Sequence, residues 1–512
     1  MDTSAATDQP SASAASATPS AAPRDWLADQ VVYQIFPDRF AIGGRMPSEQ
    51  KLRSAAYPAD IVRKHWHDPP EQPPRGRDFF GGDLAGIADA LDYIRGLGAT
   101  CLYLTPIFKA TSNHKYDTLD YLAVDPMFGT DADFDRLLSA VHGRGMRLVL
   151  DAVLNHVSDR HPWHLARKSD PRVAEYFLRI DGQEQYWRNY GQLAELDLTH
   201  PDVEGHFYRR EDAVIPHWLA RGIDGWRFDT AQDLGLPFIR RLAAAVRPRF
   251  PDRVLWGELT NFPGGEWTGP DRYDGVMNYY YRTSVLGFAG GTLPAREAGD
   301  CHQELYDQMG HTAATRSLII LSSHDTPRLM TEMRGDEARV LAAMTLQFTL
   351  PGIPMIYYGE ENGMTGAADP DNRRGMVWEP DRWNRRVREH LLKLTALRRD
   401  RRELRRGAFR DLTARAEGKV LAFMRTGRQP GEFSLTVANA APEPRTARLV
   451  VPYPHLYDGI KLVDALGSGR SFTALGARVD AEVPPKSALV LVPDPKCIPR
   501  FHFYKPRNRL EE

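Results

Sequence analysis

From Asp25 onward, short apolar runs of four to six residues alternate with longer stretches whose apolar residues recur every three or four positions. That alternation is the pattern of βα units, in which buried parallel strands are joined by amphipathic helices. The runs are Val31–Phe36, Cys101–Thr105, Arg147–Asp151, Gly225–Asp229, Val254–Glu258, Gly275–Asn278, Leu318–Ser322 and Pro354–Tyr358. Eight is the strand count that closes a parallel α/β barrel, so the predicted fold is a (β/α)8 TIM barrel. Between the strands, Leu84–Leu97 places apolar residues at Leu84, Ile87, Leu91, Ile94 and Leu97 and predicts one helix. Asp133–His142 predicts another, and Gly98 and Gly145 stand where helix C-caps belong.

Two stretches interrupt the rhythm. Asp38–Phe80, after the first strand, is rich in Pro, His and Trp; residues 156–202, after the third, are long enough for a small inserted subdomain. Both follow strand C-termini, where long loops in a compact enzyme usually carry function. Beyond about Gly407 the pattern changes to short alternating runs, Val420–Met424, Phe433–Val437 and Ala447–Val451, which predict a C-terminal antiparallel β-sandwich. The expected divisions are a disordered Ala/Ser/Pro-rich tail over 1–24, the barrel over 25–404, the sandwich over 405–495 and a basic tail over 496–512. The run Arg398–Arg406, with Asp400 and Glu403 interleaved, reads as a solvated helix face rather than a polyanion site.

Composition narrows the classes. Lys and Arg total 66 against 67 Asp and Glu, so no charge excess points to nucleic acid or an anionic membrane surface. No run of about 18 apolar residues predicts a membrane-spanning helix. Cys101, Cys301 and Cys497 are far apart and odd in number, which suits a reducing compartment better than a disulfide framework. The first 23 residues lack the basic start and apolar segment of a secretory signal. A cytoplasmic location is expected.

The chemistry lies at the strand ends. Arg227 and Asp229 are two apart on one predicted strand and share a face. An arginine beside a carboxylate favours its ionised form, as a nucleophile requires. Glu258 closes another strand, near Trp256 and Leu259; an apolar setting there would keep it protonated, as a general acid requires. Asp325 follows His324 and adds a third carboxylate. Each acid alone reads more readily as a structural ion pair. Three at converging strand ends fit glycoside chemistry, where one carboxylate attacks and another protonates the leaving oxygen.

The segments DAVLNH (Asp151–His156), GWRFDTAQD (Gly225–Asp233), WGEL (Trp256–Leu259) and SSHD (Ser322–Asp325) resemble, in order, the four main signatures of the α-amylase family, glycoside hydrolase family 13. The resemblance runs from about Trp26 to Pro493. It implies Asp229 as nucleophile, Glu258 as general acid/base and Asp325 as a third acid gripping sugar hydroxyls. It further implies that Arg227, His156 and His324 line the same subsite and that Asp151 holds Arg227. SNHKYDTLDY (Ser112–Tyr121) resembles the loop in which an aromatic stacks on the reacting sugar, and Tyr116 fits that place.

FFGGDLAGI, TPIFKATSNHKYDT, YYGEENGMTG and DPDNRRGMVW are most similar to the neopullulanase and cyclomaltodextrinase group. That group usually carries a β-domain before the barrel that supports dimerisation, whereas an Ala/Ser/Pro-rich tail precedes this barrel, leaving the oligomeric state open. Residues 231–233 and 259–261 also depart from the group, which leaves substrate length and linkage open.

The expected activity is retaining hydrolysis of α-1,4-glucosidic bonds in maltooligosaccharides, cyclodextrins or related α-glucans. A 4-α-glucanotransferase or a glucoside isomerase would use the same residues, and a non-catalytic carbohydrate-binding homologue is a remoter alternative. No cofactor is required by this chemistry. The family often holds a structural calcium, for which the resemblance names Asn155 and Glu195; Asn155 reads equally well as a loop-fixing hydrogen bonder.

Overall fold

Eight parallel strands close on one another in the computed structural model, which describes residues 24–44, 57–429 and 431–494. Apart from Arg24, the expected N-terminal and C-terminal tails lie outside the described residues. The barrel strands are β1 (Val32–Ile35), β2 (Cys101–Leu104), β3 (Arg147–Ala152), β4 (Gly225–Phe228), β5 (Val254–Leu259), β6 (Gly275–Asn278), β7 (Leu318–Ile320) and β8 (Ile353–Tyr357). Each pairs in parallel with its sequence neighbours, and β8 pairs with β1 to complete the ring. All eight predicted runs are strands, shifted by one or two residues at their ends; Asp229 falls just past β4.

Alternation along each strand sorts the core into two layers. One set, including Leu102, Leu104, Leu148, Leu150, Trp226 and Leu255, packs outward against the helices. The other set faces inward: Val32, Cys101, Val149, Val254, Trp256, Met277, Leu318, Ile320, Ile353 and Met355, with Leu27 from the turn before β1 added at the strand N-termini. A strand buried on both faces needs apolar residues at almost every position, which explains the continuous runs in the sequence. Stepping two residues along the inward set leads from Val32 to Gln34, Cys101 to Tyr103, Val149 to Asp151, and Trp256 to Glu258. The interior is therefore apolar at its base and polar at the strand C-termini.

The Leu84–Leu97 segment is two short helices, Leu84–Asp89 and Leu91–Gly96, rather than one. Ala90 leaves helical geometry (φ −89°, ψ 1°), and the bend keeps Leu84, Ile87, Leu91, Ile94 and Leu97 all buried. The second helix, Asp131–Gly143, starts on a Thr130–Asp133 capping box. Gly98 and Gly145 take positive φ (85° and 69°) just beyond helix ends, as αL caps do. After β3 the chain forms antiparallel pairs, His156–Ser158 with Leu193–Glu195 and Arg179–Ile180 with Gln183–Glu184.

Toward the C-terminus, a six-stranded and a three-stranded antiparallel sheet enclose a separate apolar core that includes Phe433, Leu435, Leu449, Val479 and Leu491. The reading of Arg398–Arg406 as a solvated face is corrected here. Arg398 and Glu403 are buried, and Arg398 donates to the carbonyls of Ala28, Gly352 and Leu404. Arg406 pairs with Asp25 and Asp29. Local composition hid this because the partners are backbone carbonyls and acids far away in sequence.

Candidate active site

Arg227 is the hub of the polar end of the barrel. Its Cα pairs across the sheet with Asp151 on β3 and Trp256 on β5, so its side chain enters the interior between the two acids of those strands. Fully buried, its Nη1 donates to Asp151 (2.9 Å) and Asp229 (2.9 Å), while Nη2 lies 2.8 Å from Glu258 Oε1. Asp151, also fully buried, accepts further from the Tyr103 hydroxyl (2.5 Å) and the Tyr116 hydroxyl (3.0 Å).

The backbone leaves β4 through Thr230, a β-branched residue in the left-handed region (φ 43°, ψ 50°). That conformation is sterically costly for such a side chain. It aims the Thr230 N–H at Glu258 Oε2 (2.9 Å), and the Tyr279 hydroxyl reaches Oε1 at 3.4 Å. The turn that releases one acid thus fixes the other.

Three carboxyls around one guanidinium cannot all be compensated. Burial, and then the charges of Glu258, Asp151 and Asp325, push Asp229 well above the usual carboxylate range, with Arg227 pulling the other way. This corrects the expectation drawn from Arg227 alone, which gave no weight to burial or to the other acids. Glu258 is raised as expected, again chiefly by burial. Leu259 is not its apolar neighbour, because it faces the outer core. Asp151 is raised to about 6 by burial, against the pull of Arg227.

Asp325 is the most open of the acids, with 39% of its side chain exposed. His324 Nε2 lies 3.1 Å from it, and Arg373 Nη2 approaches at 3.2 Å while Nη1 holds Asp369 at 3.1 Å. The Gln34 amide donates to His324 Nδ1 (2.9 Å), and Nε2 meets the Tyr116 hydroxyl at 2.6 Å. Burial holds His324 well below the ordinary histidine pKa, and the Gln34 amide on Nδ1 favours the tautomer with its proton on Nε2. Tyr116 stacks on His324 (5.5 Å, 4° between planes) and on His114 (5.9 Å, 29°). His156 Nε2 lies 3.2 Å from the Tyr116 carbonyl, and burial lowers its pKa to about 4.

Asn372 locks the loop that carries His324 and Asp325. Its carboxamide nitrogen donates to the carbonyls of Ser323 (3.3 Å), His324 (2.7 Å) and Thr326 (3.0 Å). Its backbone carbonyl accepts from Arg328 Nε (3.0 Å) and the Tyr357 hydroxyl (3.3 Å).

The structure therefore gathers Asp229, Glu258, Asp151 and Arg227 in direct contact and links Tyr116, His324 and Asp325 to them. His156 borders the group through Tyr116. Sequence reasoning missed Tyr103, Gln34, Tyr279, Arg373 and Asn372. Tyr103 and Gln34 were within reach, being two residues on from inward apolar positions.

Asn155 and Glu195 face each other, and Glu195 is pushed up by burial and by the charge of Asp233. The buried Asn155 Nδ2 has no well-aligned partner. Calcium takes six to eight oxygen ligands, and among the described residues no group of three or more His, Cys, Asp or Glu gathers as a metal cluster. Asn155 and Glu195 supply two side chains toward such a shell, so backbone carbonyls and water would have to provide the rest.

A closed parallel barrel with paired carboxyls at its C-terminal mouth is the architecture of a glycosidase-type active site. The family described as "Alpha amylase, catalytic domain" matches residues 34–408, and the chain belongs to that family. It is 35% identical to neopullulanase 2 of Thermoactinomyces vulgaris over 448 residues, covering 84% of this chain and 72% of that one. It is 35% identical to a cyclomaltodextrinase of Geobacillus thermopakistaniensis over 475 residues, covering 90% and 76%. Among solved structures, the cyclic α-maltosyl-(1→6)-maltose hydrolase from Arthrobacter globiformis superposes with a TM-score of 0.74 at 32% identity, covering 92% of this chain and 100% of that one. Among the described residues, no helix is long and apolar enough to cross a membrane.

Proposed function

We propose that the protein is a retaining hydrolase of α-1,4-linked glucans, acting on maltooligosaccharides or cyclodextrins through a covalent glycosyl-enzyme. The observation that carries this reading is the Arg227 guanidinium shared between Asp229 and Glu258. Two carboxyls on adjacent nitrogens of one guanidinium suit the close pair, about 5–5.5 Å apart, of a retaining enzyme. The printed names of the relatives, neopullulanase and cyclomaltodextrinase, support the substrate class.

In this mechanism Asp229 attacks the anomeric carbon while Glu258 protonates the departing glycosidic oxygen. Glu258 then takes a proton from the water that opens the glycosyl-enzyme. Burial favours the proton that Glu258 needs, and the Arg227 charge is the pull that must ionise Asp229 against the burial that raises it. Asp325 would grip sugar hydroxyls as positive charge develops on the ring, and the Tyr116 face would cover its apolar side. The chemistry needs no metal, because nucleophile and acid are both side chains.

The test is a timed product profile with maltotriose, maltohexaose and β-cyclodextrin, read by mass and by anomeric configuration. Shorter α-anomeric sugars are expected. Products longer than the starting sugar would make it a transferase, and β-anomeric products would exclude the covalent route. Asp229→Asn should lose turnover; a clean preparation of it with near wild-type rates would sink the proposal.

A further inference from the structure

A line of aromatic rings leads from the site to the surface of the segment inserted after β3. His156, which borders Tyr116, stacks on Trp187 (5.5 Å, 30°), and Trp187 on Tyr190 (6.2 Å, 29°). Trp187 is half-buried and pinned: its Nε1 donates to Asp233 Oδ2 (2.9 Å), and the Arg188 guanidinium lies 4.8 Å from its ring centroid. Tyr190 is 61% exposed. The turn between the two rings runs through Arg188 (φ 48°) and Asn189 (φ 62°), consecutive non-glycine residues in the left-handed region. Strain of that kind persists where surrounding structure enforces it, and it collects at functional sites.

We propose that Tyr190 is the outer stacking platform for a further glucosyl unit of the substrate, continuing the cleft beyond the reacting sugar. The occupant follows from continuity: the rings run outward from a residue beside the catalytic group, and glucosyl units present apolar faces that aromatic rings cover. The Trp187–Asp233 bond ties the platform to the helix that follows Asp229, so it is held in a fixed relation to the nucleophile. The inference rests on the reading of this protein as an α-glucan enzyme and adds a determinant of chain length.

Tyr190→Ala is the variant of choice, since the exposed ring leaves no hole in a core. Its kcat/KM for maltohexaose should fall about 3- to 10-fold, the range of one aromatic contact. The value for p-nitrophenyl α-glucoside, too short to reach the platform, should not change. Tyr190→Phe should retain the wild-type ratio. An equal loss on both substrates, or no loss on maltohexaose, would overturn the platform. Calorimetric binding of maltohexaose separates the two readings: Tyr190-dependent binding without any turnover would reject the catalytic reading alone. Turnover whose length preference ignores Tyr190 would reject the platform alone.

Discussion

Arg227 Nη2 lies 2.8 Å from Glu258 Oε1 while Nη1 of the same guanidinium holds Asp229 at 2.9 Å. One cation therefore pulls the pKa of both proposed catalytic acids down against the burial that raises them. A lysine ammonium is a single point and cannot span both. Arg227→Lys should lower kcat/KM by about 100-fold or more. Arg227 depresses the carboxyl pKa values, so weakening it raises them. The acidic limb of the kcat/KM–pH profile, which reports ionisation of the nucleophile, should move to higher pH. A profile of unchanged shape with only a lower amplitude would contradict this coupling.

Asn372 is a positioning residue acting through the backbone that carries His324 and Asp325. Asn372→Ala removes donors to three carbonyls, and kcat/KM should fall roughly 10- to 100-fold at about 1 kcal/mol per hydrogen bond. A double-mutant cycle with Asp325→Asn checks the route. If Asn372 works by placing Asp325, its substitution should cost far less once Asp325 is gone. Full additivity would reduce Asn372 to a general structural role.

Glu360 lies beneath the same loop, accepting from the Leu329 N–H at 3.2 Å and facing Arg328 at 3.4 Å. Burial raises it from about 4.5 to about 7. The unfolded chain releases this proton first, so between those values the folded state binds more protons and stability falls as pH rises. Thermal melts from pH 4.5 to 7 should show Glu360→Gln losing less stability across that window than the wild type. Parallel curves would place the proton elsewhere.

Asn155 and Glu195 offer two side chains where a calcium shell takes six to eight oxygens. Dialysis against EDTA should leave Tm and turnover unchanged, and calcium should add no thermal stability. A calcium-dependent rise in Tm that Glu195→Gln abolishes would reverse that conclusion.

Much of this was legible in the chain because burial on both strand faces writes continuous apolar runs, and acids stand out where the runs end. Asp229, Glu258 and Asp325 could be located that way, and Tyr103 could have been, from its parity with Cys101. Asn372 could not, since its partners lie 46 to 49 residues away on another loop. Nor could the upward push on Asp229, because a sequence displays the adjacent arginine but not the shared, water-excluding enclosure. The arginines near residue 400 misled for the same reason.

The apolar base of the barrel, sealed by Leu27, Val32, Ile320 and Ile353, also governs traffic. The packed interior leaves no passage along the barrel axis, so nothing can thread through it. Substrate must therefore arrive, and product depart, on the side where the strands end and the acids stand.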